Sequence, residues 1–450
     1  MTEIIHKKLN DSPVARWTTL AIVSLTMLCG YFLTDVMAPM KSLLESELGW
    51  SSSEYGFFTS AYSWLNVALF MLVISGIILD KKGPRFAGTL ACILMLAGCS
   101  LKYYAISDYF TMTGNIFGWP ARVMMAAIGY SIFGVGVETA GITVTKIIAR
   151  WFKGYEIALA MGLQVAVARI GTSIALGVTI PIIETFNSIS APLLFALILL
   201  CIGLISFLLF CVADRRLDAS LQEGAQAPED SFRVKDILSI IQNKGFWLVA
   251  LLCVLFYSAV FPFLKYATDM VVNKYNVPLE LAGYIPAILP IGTMLLTPFF
   301  GGLYDKKGRG ASIMIIGALL LIVVHLLFAM PLLNVWWFAA FIMVILGVAF
   351  SLVPSAMWPS VPKIIPQRQL GTAYALIFWV QNIGLGGVPA LIGWVLEEYC
   401  QTGNPATPYD YTLPMLIFAG FGVLALFVAF LLKAEDKRKG YGLELPNIKK

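Results

Sequence analysis

The ten residues GIILDKKGPR at positions 76–85 return half a chain later as GGLYDKKGR at positions 301–309. The aspartates of the two copies, Asp80 and Asp305, lie 305 − 80 = 225 positions apart in a chain of 450 residues. In each copy a glycine (Gly76, Gly301) lets two helices approach, the aspartate ends a helix beside basic residues, and a second glycine (Gly83, Gly308) makes the reverse turn. One such turn is an ordinary basic loop. Two at matching places mark an internal repeat, with Arg85 and Arg309 closing the respective copies.

Composition puts this repeat in a membrane. Hydrophobic residues make up 59% of the chain and charged ones 13%, against about 25% charged in soluble domains, and mean hydropathy is +0.82. Apolar runs of about 20 residues, each long enough to cross ~30 Å of hydrocarbon as a helix, predict twelve spans. They cover roughly 17–40, 54–79, 85–106, 120–148, 155–182 and 191–213, then 246–271, 279–304, 310–331, 335–360, 369–396 and 411–432. The fold class is therefore an all-α integral membrane protein of two six-helix bundles. The bundles take residues 1–213 and 246–450 with its tail, joined by a polar linker at 214–245. Within that linker Val234, Ile237, Leu238 and Ile241 have helical spacing and predict a short amphipathic helix, either flat on the membrane surface or plainly solvated.

The formal charge of +5 sits in alternate loops, with Lys81, Lys82, Arg85, Lys153, Arg215, Arg216, Lys306, Lys307, Arg309, Lys363, Arg368 and residues 437–439 on one side. The opposite loops hold little beyond Lys41, Lys102, Arg122 and Lys274. The positive-inside rule then predicts both termini in the cytoplasm, and the bilayer, rather than nucleic acid, as the partner of the basic residues. Six of seven cysteines fall within spans and Cys400 in an outer loop, which predicts small buried hydrophobes rather than disulfides or a metal site. Residues 1–16 are polar and run straight into a full-length span, so no cleaved signal peptide is expected. With no phosphate-cradling glycine loop, nucleophile elbow or zinc spacing, neither an enzyme nor a cofactor is expected.

The repeated loop resembles the signature of the major facilitator superfamily. That resemblance implies two bundles rocking about a site near the membrane midplane, with the two loops (Gly76, Asp80, Gly83 and Arg85; Asp305, Gly308 and Arg309) acting in gating.

Two charges then stand out. Glu138 lies about 12 residues, ~18 Å, from the inner end of span four, and Arg169 about 15 residues, ~22 Å, from that of span five. Both are thus near mid-membrane, where a charge costs roughly 2.5–3.5 kcal/mol and normally faces a partner or a cavity. Antiparallel neighbours pack ~8–10 Å apart, so the two either brace one another or stand as poles of one cavity.

Around them Gly136-Val-Glu138, Trp151-Phe-Lys-Gly154, Gly162-Leu-Gln164 and Ala168-Arg169-Ile-Gly171 are similar to the lysosomal dipeptide uniporters called major facilitator superfamily domain-containing protein 1. Ala259–Phe263, Trp358-Pro359, Gln369–Tyr374, Gln381-Asn382 and Gly384-Leu385 agree. The resemblance implies that Glu138 and Arg169 meet the amine and carboxylate of a dipeptide. The chemistry is compatible, because a dipeptide is a zwitterion whose ends lie roughly 6 Å apart and arginine grips a carboxylate with a planar fork.

Lesser candidates surround this pair. Tyr31 and Asp35 lie one turn apart on span one, where Asp35 is expected either to line the outer vestibule or take up a proton, or to be a hydrated helix end. Tyr374, Trp379, Gln381 and Asn382 put aromatic and amide groups on span eleven, with Tyr374 and Gln381 on one face, and Gln164 is placed to orient Arg169. Lys265 and Asp269, four apart on span seven, share a face and either neutralise each other or latch an outer gate. Lys146 and Arg150 are expected to snorkel to water, and His325 to be an ordinary packed side chain.

The expected function is secondary transport of dipeptides or similar small zwitterions by alternating access. The alternatives are an organic-anion exchanger of the oxalate and formate type, in which Glu138 merely holds Arg169, and a non-transporting membrane sensor. A monomer in a bacterial-type plasma membrane is expected, because no acidic dileucine signal is present and the sequon Asn10-Asp11-Ser12 falls on the cytoplasmic side.

Overall fold

A computed structural model describes residues 9–152, 155–220, 234–366 and 369–446. The middle of the linker (221–233), the Lys153-Gly154 pair of one resemblance motif and the basic Arg368 lie outside them. Among the described residues eleven helices are long and apolar enough to cross a membrane. The remaining crossing, span two, is broken. It runs as Ser52–Ser60, a 3-10 turn Ala61–Ser63 and Trp64–Ala68, then re-forms at Met71 after Phe70 takes a left-handed conformation. Span three follows within the same helix, Met71–Ile106, separated only at Gly83 (φ +80°, ψ +170°), a conformation that glycine adopts without penalty.

Spans one and seven are interrupted too. Span one is Pro13–Asp35, then Ala38–Met40 and Lys41–Leu48; span seven is Lys244–Ser258, then Phe261–Tyr275 with Pro262 at its start. Proline removes a backbone donor and suits a first turn. The breaks turn the far ends of both spans toward each other.

Spans four (Ala121–Trp151), five (Ile157–Phe186) and six (Ala191–Ser220) complete one half. Spans eight (Tyr284–Lys307), nine (Gly310–Ala329), ten (Trp336–Ile364), eleven (Leu370–Tyr399) and twelve (Thr412–Lys439) complete the other. Spans three and four pack backbone to backbone, since a Cβ on Gly98 would lie 2.5 Å from the Gly129 carbonyl oxygen. The helix in the linker forms as Val234–Ile241. It does not lie free: Ile240 is buried, and Gln369 donates to the Ser239 hydroxyl at 2.9 Å.

The two halves meet through spans two and eleven and through spans five and eight. Contact is closest at the end away from the termini, here the distal end. There a Cβ on Gly56 would lie 2.7 Å from the Pro389 carbonyl oxygen, one on Gly393 would lie 2.4 Å from that of Ser52, and one on Gly283 would lie 2.1 Å from that of Leu176. Toward the termini, Gly76 and Gly371 on the first pair of spans, and Gly162 and Gly301 on the second, have nothing within 4 Å. The molecule is sealed distally and parts at the terminal end.

The repeated loops differ in their partners. In the first, Asp80 accepts from Lys146 at 2.8 Å, and Arg85 pairs with Asp218 at 2.6 Å and Asp214 at 3.6 Å. Arg150 also pairs with both of those aspartates. Lys146 and Arg150 are partly exposed at the inner end of span four, as expected, and there they also meet carboxylates of neighbouring helices. In the second loop the C-terminal tail does the holding. Gly308 (φ +71°) and Arg309 (φ +64°) precede span nine, whose first amides are met by the Glu444 carbonyl, the Leu443 carbonyl and the Glu444 carboxylate, all at 2.9 Å.

Candidate functional site

Glu138 and Arg169 line one cavity, where spans one, two, four, five, seven and eleven converge. They form no ion pair with each other. The Glu138 carboxylate accepts a 2.8 Å hydrogen bond from the Tyr62 hydroxyl, which the break in span two turns inward. Among the described residues Arg169 makes no hydrogen bond or ion pair. Its guanidinium is flanked instead by the rings of Phe261, Tyr31 and Phe350, at 5.1, 5.5 and 5.6 Å from their centroids. Aromatic faces hold the cation in place without neutralising it, so its five donors remain available. The bracing alternative is overturned: the two charges are separate poles of one chamber.

Asp35 and Lys265 line the same chamber. Their ion pair, 2.6 Å, joins span one to span seven; Thr172 donates to Asp35 at 2.9 Å, and Lys265 also reaches the Thr34 carbonyl at 2.7 Å and the Tyr130 hydroxyl at 3.2 Å. Asp35 is thus neither a hydrated helix end nor a free acceptor. The expected neutralisation of Lys265 by Asp269 also fails. Asp269 pairs with Lys41 of span one at 3.0 Å and accepts from the Tyr411 hydroxyl. A partner across the interface is closer than the neighbour one turn away, because the span breaks bring the distal segments into contact.

Lys41 and Lys102 are not loop charges. Both side chains are buried, Lys41 between Glu45 (2.7 Å), Asp269 and the Tyr409 ring, and Lys102 inside span three against the Tyr130 ring at 4.1 Å.

On span eleven the expected set divides. Gln381 lines the chamber and its side-chain oxygen accepts from the Cys253 thiol at 3.4 Å. Tyr374, one face but two turns away, points at span ten, donating to the Trp358 carbonyl at 3.2 Å. Asn382 is buried and donates back to the Phe378 carbonyl at 3.0 Å. Trp379 crosses between halves, donating to the Val67 carbonyl at 3.1 Å and stacking on Phe70 at 5.1 Å. Gln164 makes no hydrogen bond to Arg169 among the described residues. His325 is packed as expected, between Phe263 and Phe418, with Nε2 2.9 Å from the Ala259 carbonyl.

Tyr62 and Tyr130 escaped the sequence reading. Both are chamber residues, and a pattern of tyrosines inside apolar spans carried no signal that set them apart from interfacial ones.

Two segments of the chain, residues 20–389 and 271–446, match the family model described as Major Facilitator Superfamily. The chain belongs to that family. It is a multi-pass membrane transporter built of twelve helices in two six-helix bundles, and its substrate is a small molecule. A mouse protein named lysosomal dipeptide transporter MFSD1 is 27% identical over 391 residues, 84% of this chain and 80% of that one. The human protein of the same name is 26% identical over 377 residues, 82% and 77% of the respective chains. Among solved structures the nucleoside transporter NupG superposes with a TM-score of 0.68 at 16% identity, covering 93% of this chain and 99% of that one. A bacterial homologue of the human lysosomal transporter Spinster gives 0.70 at 14% identity, with 95% and 98% covered. These two likenesses speak to the fold of this major facilitator protein.

Proposed function

We propose that this transporter carries dipeptides or similarly small zwitterions by alternating access, with Glu138 receiving the amine and Arg169 the carboxylate. The observation that carries this reading is the pair of opposite, un-neutralised charges in one chamber. The other acid and base there, Asp35 and Lys265, already satisfy each other. A zwitterion supplies one partner to each remaining pole, whereas a dicarboxylate would leave Glu138 facing a second anion. The names of the MFSD1 relatives point the same way.

The two bundles, residues 1–213 and 246–450, are the bodies that rock, and 214–245 is the connection that lets them. Both termini are cytoplasmic in this proposal, which makes the distal seal the outer gate and the parted end the inner one, in a plasma membrane. The loops at Asp80 and Asp305 fasten helix ends within each half as it turns.

Counterflow of a labelled dipeptide in proteoliposomes of the purified full chain tests the reading. Unlabelled dipeptides should compete, while free oxalate and formate at the same concentration leave the rate within twofold. Block by dicarboxylates with no dipeptide counterflow would replace this assignment by anion exchange; binding of a ligand with no flux at all would point to a sensor.

A further inference from the structure

A second cavity of about 230 Å³ adjoins the polar chamber, and Arg169 lines both. For scale, an apolar cavity of ~150 Å³ admits benzene. The second cavity therefore has room for a large side chain.

We infer that the cavity between spans five and eight is the subsite for the side chain of the substrate's C-terminal residue, and that it selects aliphatic or aromatic groups there. This rests on the dipeptide reading. A carboxylate bound to Arg169 has its Cα one bond, about 1.5 Å, from the carboxyl carbon, so the side chain departs beside the wall that the two cavities share. That wall is otherwise apolar: Ile170 and Ile174 come from span five, Pro290, Ile291 and Met294 from span eight. The remaining polar group, the Ser173 hydroxyl, spends its proton on the Ala287 carbonyl at 3.1 Å. A cationic or anionic side chain would meet no countercharge there beyond Arg169 itself, which the carboxylate already occupies, and burying an unpaired charge is strongly unfavourable. An apolar one is desolvated against both halves of the carrier at once.

The test uses the purified full chain and two peptide series, with binding read by titration calorimetry. In Ala-X, leucine should bind at least about 10-fold tighter than glycine, the scale on which hydrophobic pockets discriminate by size, and lysine no tighter than glycine. In X-Ala the same exchange should change the affinity less. Ile174→Trp and, from the opposite wall, Met294→Trp should each bring the Ala-Leu to Ala-Gly ratio close to one while the ratio of Leu-Ala to Gly-Ala stays put. Two walls are used because a variant that misfolds on one leaves the other informative. Equal binding of Ala-Leu and Ala-Gly to the unaltered carrier would overturn the subsite and leave the dipeptide reading standing. A ratio that both tryptophans leave unchanged would overturn it too, and would point to a lipid chain as the occupant. If no dipeptide binds and a dicarboxylate does, the parent reading fails and the subsite with it.

Discussion

Arg169→Lys should weaken dipeptide binding by on the order of 30-fold or more while the empty carrier melts within a few degrees of the unaltered one. The two halves of this expectation have one cause. Arg169 has no protein partner to lose, only the rings of Phe261, Tyr31 and Phe350 around it, so its replacement orphans nothing in the fold. The substrate carboxylate loses a two-point, charge-assisted contact that an ammonium cannot reproduce, and truncating one side of a buried charged contact costs ~2–5 kcal/mol. Glu138→Gln is the complementary experiment. The amide still accepts from Tyr62, which is 2.8 Å from the carboxylate it replaces, but it brings no charge to the substrate's ammonium. A peptide with a free amine should therefore bind the unaltered carrier far better than its N-acetylated form, and Glu138→Gln should erase most of that preference. Calorimetry with free, N-acetylated and C-amidated versions of one peptide reads both poles separately. Binding within twofold for both variants would sink the assignment.

That site was partly legible in the sequence because charge at membrane depth is so conspicuous. A carboxylate and a guanidinium amid apolar runs are exceptional, and helical rise alone placed Glu138 and Arg169 at similar depths. The repeat at Asp80 and Asp305 was equally plain, since it needs only identity of spacing. What sequence could not show was who holds whom. Lys265 and Asp269 satisfy the local rule for neutralisation, yet each takes a partner on span one, and nothing in either segment records that span one breaks after Asp35 and turns Lys41 back into the protein. Lys41 looked like a loop charge because its apolar run ends at residue 40, and Lys102 because it lies within a turn of the predicted end of span three. Tyr62 stayed invisible for a related reason: it faces the chamber only because the helix of span two stops at Ser60 and restarts at Trp64. Tyr374 and Gln381 share a helical face as the period required, but the tertiary neighbours along that face change from span ten to the chamber.

The crossed pairs of spans one and seven have a consequence for the transport cycle. Span one contributes an acid and then a base, Asp35 and Lys41; span seven contributes a base and then an acid, Lys265 and Asp269. Each bond joins one half to the other, and both lie at the distal seal, the first in the roof of the chamber. Lys41→Met should therefore shift the empty carrier toward a state open at the distal end. Its effect is large because Lys41 and Asp269 are almost fully buried, their side chains exposed by 0% and 2%. Removal of one partner of a buried pair costs ~3–5 kcal/mol, and here it leaves Asp269 and Glu45 as two carboxylates with no cation between them. When the halves part, water reaches both, so the cost falls on the sealed state alone. Some 5.5 kcal/mol would carry a two-state equilibrium from 1:99 to 99:1, and a bias of this size takes it most of the way. Spin labels at Tyr109 and Leu332, exposed residues in distal loops of opposite halves, read the separation by pulsed dipolar spectroscopy. The background would have its exposed Cys201 replaced. The long-distance population should dominate in Lys41→Met, rise less in Asp269→Asn, where Glu45 still pairs with Lys41 at 2.7 Å, and recede from the Lys41→Met level in the double variant, where Glu45 alone loses its cation and the coupling of the pair shows as non-additivity. A distance distribution unmoved by either single substitution would mean that the seal is held by the glycine contacts of spans two and eleven, with the ion pairs as passengers.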